Sequence, residues 1–268
     1  MELRSPGYKS EQIFTQFDGS IEDRGNYMVV RTPTNPTYFW GNLLIFDRPP
    51  RPGDFDTWTA LFKKEFTDPR IYHVTIGWDS DTGEVGAVDE FVANGYELEN
   101  MAAMIAKSVK KPPRYNEDLE MRILKSDEDW NEMIQVHTAA SSDRLPRVAW
   151  ENFYRKQSER YRKFEAVGMG HWYGGFLNGI LVAGLGIYHR DGTGRYQNVS
   201  THPDYQRRGV CGTLVYKSAM HAFQESNLEK LVMCADSGYH ALRIYESVGF
   251  EQQVIEHGVC WWDRNRTE

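Results

Sequence analysis

From Leu119 to Trp262 the apolar pattern switches repeatedly between the period of a strand and that of a helix. "LEMRILKS" alternates as a strand does. Ser126-Asp127 then offers an N-cap for a helix running to about His137. "SSDRLPRVAWENFYRKQSERYRKF" holds a loop and a second, strongly charged helix. "HWYGGFLNGILVAGLGIYHRDG" is two strands joined by Asn178-Gly179, the preferred pair for a two-residue hairpin turn. "RYQNVST" is a strand ended by Pro203, and a helix opens at Gly209. "KLVMCA" is a short apolar strand of the kind buried on both faces. "GYHALRIYESVGF" is a helix closed by Gly249, and "EQQVIEHGVCWW" is a last strand. The order β-α-α-β-β-β-α-β-α-β specifies an α/β layer fold with a mixed central sheet flanked by helices.

Upstream, "AKSVKKPPRYNEDLE" is basic, then broken by Pro112-Pro113, then acidic. Two prolines cannot continue a helix and favour extended backbone. The sequence therefore predicts two units, 1–112 and 118–268. In the first, "YMVVR", "YFWGNLLIF" and "IYHVTIGWD" read as strands, "DFDTWTALFKKEF" and "EVGAVDEFVANG" as helices, and "YELENMAAMIA" as either.

Bulk properties exclude several classes of function. A chain of 268 residues with net charge −7 lacks the basic face that supplies most nucleic-acid affinity. No apolar run is long enough for a membrane span, and the first residues lack the apolar core of a secretory signal. Cys211, Cys234 and Cys260 have no metal-binding spacing and read as reduced thiols, so no metal and a cytoplasmic location are expected.

The stretch "PDYQRRGVCGTLV", Pro203 to Val215, carries the strongest chemical signal. A strand that ends in a glycine turn and opens a helix makes an anion site, because the first-turn N–H groups point outward along the helix dipole. Gln206, Arg207 and Arg208 add donors and charge. The stretch lacks the lysine of a Walker A loop and the spacing of a dinucleotide fingerprint. Gly209-Val210-Cys211-Gly212 also fits the G-x-x-G that clamps RNA backbone, against which the acidic composition speaks. Alone, the stretch is equally a structural turn with solvated arginines.

A second signature joins it. Gln206-Arg207-Arg208-Gly209-Val210-Cys211 resembles the Q/R-x-x-G-x-G/A pyrophosphate loop of the GNAT superfamily of N-acetyltransferases, with cysteine in place of the last small residue. Tyr245, followed by Gly249-Phe250, resembles that family's second motif, and "KLVMCA" lies between the two as the family requires. The resemblance covers about Leu119 to Asp263. It departs where an asparagine is frequent: Gly238 stands there, leaving Asp236 or Ser237 to supply that contact.

The resemblance implies acetyl-CoA as cosubstrate and direct attack by a primary amine of a small molecule or peptide. It implies that Val199, Ser200 and Thr201 line the pantetheine arm. Gln206, Arg207, Arg208, Gly209, Val210, Cys211, Gly212 and Thr213 would hold the pyrophosphate, and Tyr245 would protonate the leaving thiolate. A lysine-like amine, with pKa about 10.4, arrives protonated and needs a base or a depressed pKa. Asp236, at the end of an inner strand, ranks first as that base, ahead of His189 and His202. The eight tryptophans read as core residues or as the lining of an acceptor pocket, and "HTAASSDRLPRVAW" lies where this family builds its acceptor site. The sequence names neither acceptor nor oligomeric state. A non-catalytic acyl-CoA-binding regulatory module is the rival reading.

The N-terminal third carries a fainter echo. Phe91-Val92-Ala93-Asn94-Gly95-Tyr96 aligns with Tyr245-Glu246-Ser247-Val248-Gly249-Phe250. Upstream, "DRPPRPGDFDTW" is proline-rich where the phosphate loop would be, and prolines lack the N–H donors a phosphate needs. The expectation is a degenerate GNAT-like copy in tandem with the catalytic one; the other reading is coincidence within a short window.

Overall fold

The computed structural model describes residues 1–238 and 240–266. Along the chain run α1 (Pro6–Asp18), β1 (Ser20–Asp23), β2 (Tyr27–Arg31), β3 (Leu43–Phe46), α2 (Asp54–Glu65), β4 (His73–Trp78), α3 (Asp89–Ala93) and β5 (Glu97–Ala106). After the proline pair come β6 (Glu120–Ile123), α4 (Asp127–Ala140), α5 (Arg147–Ala166), β7 (Gly170–Leu177), β8 (Ile180–Arg190), β9 (Thr193–Thr201), α6 (Val210–Glu225), β10 (Lys230–Asp236), α7 (Ala241–Val248) and β11 (Glu251–Trp262). Tyr239, at the start of the last expected helix, lies outside the described residues.

Local chemistry sets the expected boundaries. Ser126 accepts the Asp129 N–H while the Asp129 carboxylate accepts the Ser126 N–H, a reciprocal cap that starts α4. Asn178 and Gly179 adopt φ 52° and 77°, the left-handed pair that a tight hairpin turn needs. Gly249 closes α7 at φ 113°. One helix went unread: α1, which starts at Pro6 and buries Ile13 and Phe14. Phe14 meets Phe164 and Tyr188 edge-on at 5.5 and 5.9 Å.

The segment that read as either strand or helix is β5, near the centre of the sheet. Its alanines and methionines favour a helix in isolation. Ala102, Ala103 and Met104 are instead fully buried between two strand neighbours, where tertiary packing overrides propensity.

Among the described residues eleven strands form one sheet, in the order β1-β2-β3-β4-β11-β5-β10-β9-β8-β7-β6. Only β3–β4 and β9–β10 are parallel; the other neighbours are antiparallel. The order mirrors itself about the β11–β5 pair. Counterparts are β1 and β7, β2 and β8, β3 and β9, β4 and β10, β5 and β11, while β6 is an extra edge strand. Helices match too: α2 and α6 follow the third strand of each half, α3 and α7 the fourth.

The proline pair does fall between β5 and β6, but the sheet crosses it. Strand β5 lies beside β10, and β11 lies beside β4. Each half thus lends its last strand to the other, and the stretches 1–112 and 118–268 share one sheet. No described helix is long and apolar enough to cross a membrane.

Candidate active site

The site begins where the sheet splits. Strands β9 and β10 pair only from Thr193–Arg195 to Lys230–Val232, although β9 continues to Thr201 and β10 to Asp236. On its other edge β9 carries a bulge. Gly184 faces Ser200 and Gly186 faces Gln197, so Asn198 and Val199 together oppose Leu185. Asn198 takes a left-handed φ of 45° to make it. The bulge swings the end of β9 away from β10. Beyond Arg195 its backbone is then an edge, open to an extended ligand.

At the mouth of this split the chain turns through Pro203–Tyr205 into α6. Arg207 and Gly209 are left-handed, at φ 60° and 77°. Gly209 is the N-cap, with no side-chain cap, and the first turn of α6 has no acidic residue. Such a terminus projects its N–H groups and a partial positive charge. A cavity of about 420 Å³ lies over it, lined by Arg114, Arg207 and Arg243 and, among the described residues, by no carboxylate. In a chain of net charge −7 this is a selective clearing of negative charge.

Of the residues the sequence singled out, Val199, Thr201, Gln206, Arg207, Gly209, Val210, Cys211, Gly212 and Tyr245 line this groove. Tyr245 is 5% exposed, in the second turn of α7, and lines the same cavity as the start of α6. Four others do not line it. Ser200 alternates to the opposite face of β9. Arg208 lies over the Tyr205 ring at 5.2 Å, and its carbonyl accepts from Asn116 Nδ2. Thr213 is fully buried and its hydroxyl accepts the Asn116 N–H at 2.8 Å. Asp236 is exposed, and its carboxylate accepts the Gly238 N–H at 2.8 Å, closing its own turn.

The two histidine candidates are also elsewhere. His189 is on β8, its pKa lowered by burial. His202 accepts the Asp204 N–H through Nδ1 and caps the turn Pro203–Tyr205 that precedes α6. Burial pushes the Cys211 thiol up to about 12, so it stays a thiol at neutral pH and is no nucleophile.

Sequence reasoning missed the linker's part. It read Ala106–Glu120 as a boundary only, yet Pro112, Pro113 and Arg114 form one wall of the groove. The basic run "KKPPR" was the available signal. Arg243 was missed for want of any motif. A second cavity, of about 300 Å³, is lined by Gln197 and Asn198 on the near side of the bulge and by Cys234. There Arg195 is buried, donates to Cys234 Sγ and Ser10 Oγ, and lies 3.3 Å from Glu11. Burial raises Glu256, which lines the same cavity.

Split parallel strands, a bulge, a helix terminus without a side-chain cap and a buried tyrosine thus meet around one groove. The acetyltransferase (GNAT) family model matches residues 130–250, so that part of the chain is a GNAT acetyltransferase domain. The fold of the whole chain recurs in solved structures. A functionally unknown conserved protein from Staphylococcus epidermidis ATCC 12228 gives a TM-score of 0.73 at 15% identity, over 92% of this chain and 95% of that one. A GCN5-related N-acetyltransferase from Kribbella flavida gives 0.66 at 13%, over 95% and 93%. A tandem GNAT protein from the clavulanic acid biosynthesis pathway gives 0.53 at 11%, over 88% and 82%. No curated protein matches the sequence.

Proposed function

We propose that the chain is an acetyl-CoA-dependent N-acetyltransferase acting on a primary amine, with one working coenzyme site, in its second half. The observation that carries this reading is the groove itself: three guanidinium groups, no carboxylate among the described residues, a bare helix N-terminus and Tyr245 around one cavity. The first-turn amides of α6, with Arg207, Arg114 and Arg243, would hold the pyrophosphate. The unpaired edge of β9 beyond Arg195 would hydrogen-bond the pantetheine amides. Amides at the Asn198–Val199 bulge would meet the charge developing on the thioester oxygen. The ammonium would first give one proton to a carboxylate of the second cavity; the free amine then attacks the carbonyl carbon, and the C–S bond breaks as the tetrahedral adduct collapses. Tyr245 would give its phenolic proton to the departing sulfur. The second proton, shed by the nitrogen as the amide forms, would leave through the same carboxylates, and Tyr245 would regain its proton from solvent.

The first half reads best as a degenerate copy of the same fold. Gly53 is a left-handed N-cap of α2 at φ 86°, as Gly209 is of α6. Tyr96 donates to the Phe91 carbonyl at 3.0 Å, and Phe250 donates to the Tyr245 carbonyl at 3.1 Å. What a coenzyme needs is nevertheless missing. β3 stays paired with β4 to its last residue, Phe46 opposite Trp78, and β2–β3 carries no register shift. Trp58 from α2 stacks on Phe46 at 3.8 Å where the second half has its split. Asp54 and Asp56 put carboxylates in the first turn of α2, where Asp54 accepts the Arg51 N–H and pairs with Arg48, so the helix start is set against an anion. Pro49, Pro50 and Pro52 remove further donors. Phe91 lacks the hydroxyl that Tyr245 has.

Calorimetric titration with acetyl-CoA tests the reading, run beside an Arg114→Ala/Arg207→Ala variant. One site per chain, weakened in the variant, is expected. Two sites would contradict the silent first half, and no binding would remove the enzyme assignment.

A further inference from the structure

The second cavity carries the inference further, to the class of acceptor, and this step rests on the acetyltransferase reading above. Its walls come from both halves: Glu11 from α1, Glu99 from β5, Glu256 from β11 and Arg195 from β9. Glu11 is paired with Arg195 at 3.3 Å and Glu99 with Arg144 at 2.8 Å, so among the described residues Glu256 is the carboxylate of this cavity left without an ion pair, and it supplies the attraction for a cation. Arg195 is already engaged with Ser10, Cys234 and Glu11. Glu256 accepts the Gly7 N–H at 2.6 Å and makes no ion pair among the described residues. Gln197 and Asn198 place this lobe at the bulge, next to where the thioester would lie.

A smaller lobe of about 160 Å³ shares Tyr38, Trp40 and Glu99 with the first, so the two lie side by side. Its character is different. Phe39, Trp150, Phe153 and Trp262 wall it. These rings are held in place: Trp150 Nε1 donates to the Ser142 carbonyl, Trp150 and Phe153 meet edge-on at 6.0 Å, and Phe39 and Trp262 lie 5.8 Å apart. Rigid flat faces of this kind take up a ring system without ordering cost. The charged groups here are mainly cationic. Arg144 lies over Trp262 at 4.6 Å, and Lys156 lines the same lobe.

We propose that the acceptor is an aromatic monoamine: a primary ammonium on a short tether, bound with its ring in the aromatic lobe and its nitrogen among Glu11, Glu99 and Glu256 at the bulge. A polyamine would place its second ammonium beside Arg144 and Lys156. An acidic amine would meet the Glu256 carboxylate. A short alkylamine would leave the aromatic lobe without a partner.

The test is calorimetry on the full chain, with and without CoA, using tryptamine, n-propylamine, spermidine and indole-3-propionate as probes. Tryptamine should bind at least about tenfold more tightly than each of the other three, as burial of one ring system implies. Trp150→Ala should weaken tryptamine by at least about tenfold while acetyl-CoA affinity is unchanged, and Trp150→Phe should restore most of it. Glu11→Gln should weaken tryptamine and leave the coenzyme unaffected. Equal or tighter binding of propylamine, spermidine or the acid would overturn the assignment. Coenzyme binding with no tryptamine binding would overturn it and leave the acetyltransferase reading standing. Tryptamine binding with no coenzyme binding would uphold the ligand class and remove the acetyltransferase reading.

Discussion

A Cβ on Gly209 would stand 2.7 Å from the carbonyl oxygen of Arg114. The loop that opens α6 and the segment that follows the proline pair therefore touch backbone to backbone, and a left-handed φ of 77° adds a second reason for glycine there. Gly209→Ala should cost at least about 2 kcal/mol of stability and should abolish coenzyme binding, because the loop and Arg114 would have to part. Gly53→Ala is the control. Its φ is also left-handed, but a Cβ there meets nothing within 4 Å. It should cost about 1 kcal/mol and leave the coenzyme titration unaltered. Denaturant unfolding and calorimetry on both variants check this. Equal effects of the two substitutions would contradict the role given to the linker.

Tyr245 is buried in the groove wall, so Tyr245→Phe removes an oxygen without opening a cavity. Turnover should fall about 100-fold, with acetyl-CoA affinity held within about a factor of two. An acetyl thioester of a more acidic thiol needs less help in leaving. It should lose less rate in the variant than acetyl-CoA does. Unchanged turnover would mean that Tyr245 only packs, and an inactive wild-type chain that still binds the coenzyme would be the binding module instead.

What could be read from sequence was what contiguous residues determine. The strand, turn and helix around Gly209, the hairpin at Asn178-Gly179 and the cap at Ser126 are each built within a few residues of chain. The exchange of β5 and β11 was invisible because it pairs residues more than a hundred positions apart, Glu97 with Cys260 for example. Its composition hid β5 further, since alanine and methionine read as helix when neighbours are unknown. Asp236 was ranked as a base from its place at a strand end. Ser237-Gly238 invites a tight turn, and the carboxylate is spent on it. Arg114 belongs to the groove only because the linker folds back across α6, which Asn116 secures through Arg208 and Thr213.

The aromatic filling of the first half gives a third prediction. Trp58 is 2% exposed and lies flat on Phe46, with Trp78 and Phe91 at 6.5 and 6.2 Å. Trp58→Ala should cost about 3–5 kcal/mol. It should not create a second coenzyme site, since Asp54 and the prolines still block the helix start. Denaturant unfolding reads the first effect and the stoichiometry of an acetyl-CoA titration the second. A second site appearing in this variant would show that the tryptophan alone silences that half.

Acid sensitivity should trace in part to His137. Its ring is fully buried on α4, 5.2 Å from Tyr154 and 5.4 Å from Trp172, and neither ring nitrogen has a hydrogen-bond partner among the described residues. Burial pushes its pKa down to about 3. The unfolded chain takes up this proton near pH 6.5, while the folded chain resists it until far lower. Its contribution to stability is therefore full above about pH 6.5 and falls as pH drops toward 3. At pH 5 the loss should be about 2 kcal/mol. Glu165, which burial raises to about 7, acts in the opposite sense and loses stability as pH rises from its unfolded value, so the two are separated by difference. Subtracting the stability of a His137→Phe variant from that of wild type, point by point between pH 7.5 and 4.5, cancels every other group. The difference should be flat above about pH 6.5 and slope by about 1.4 kcal/mol per unit below it. Parallel curves across the range would mean that His137 takes up its proton in the folded state as readily as in the unfolded one.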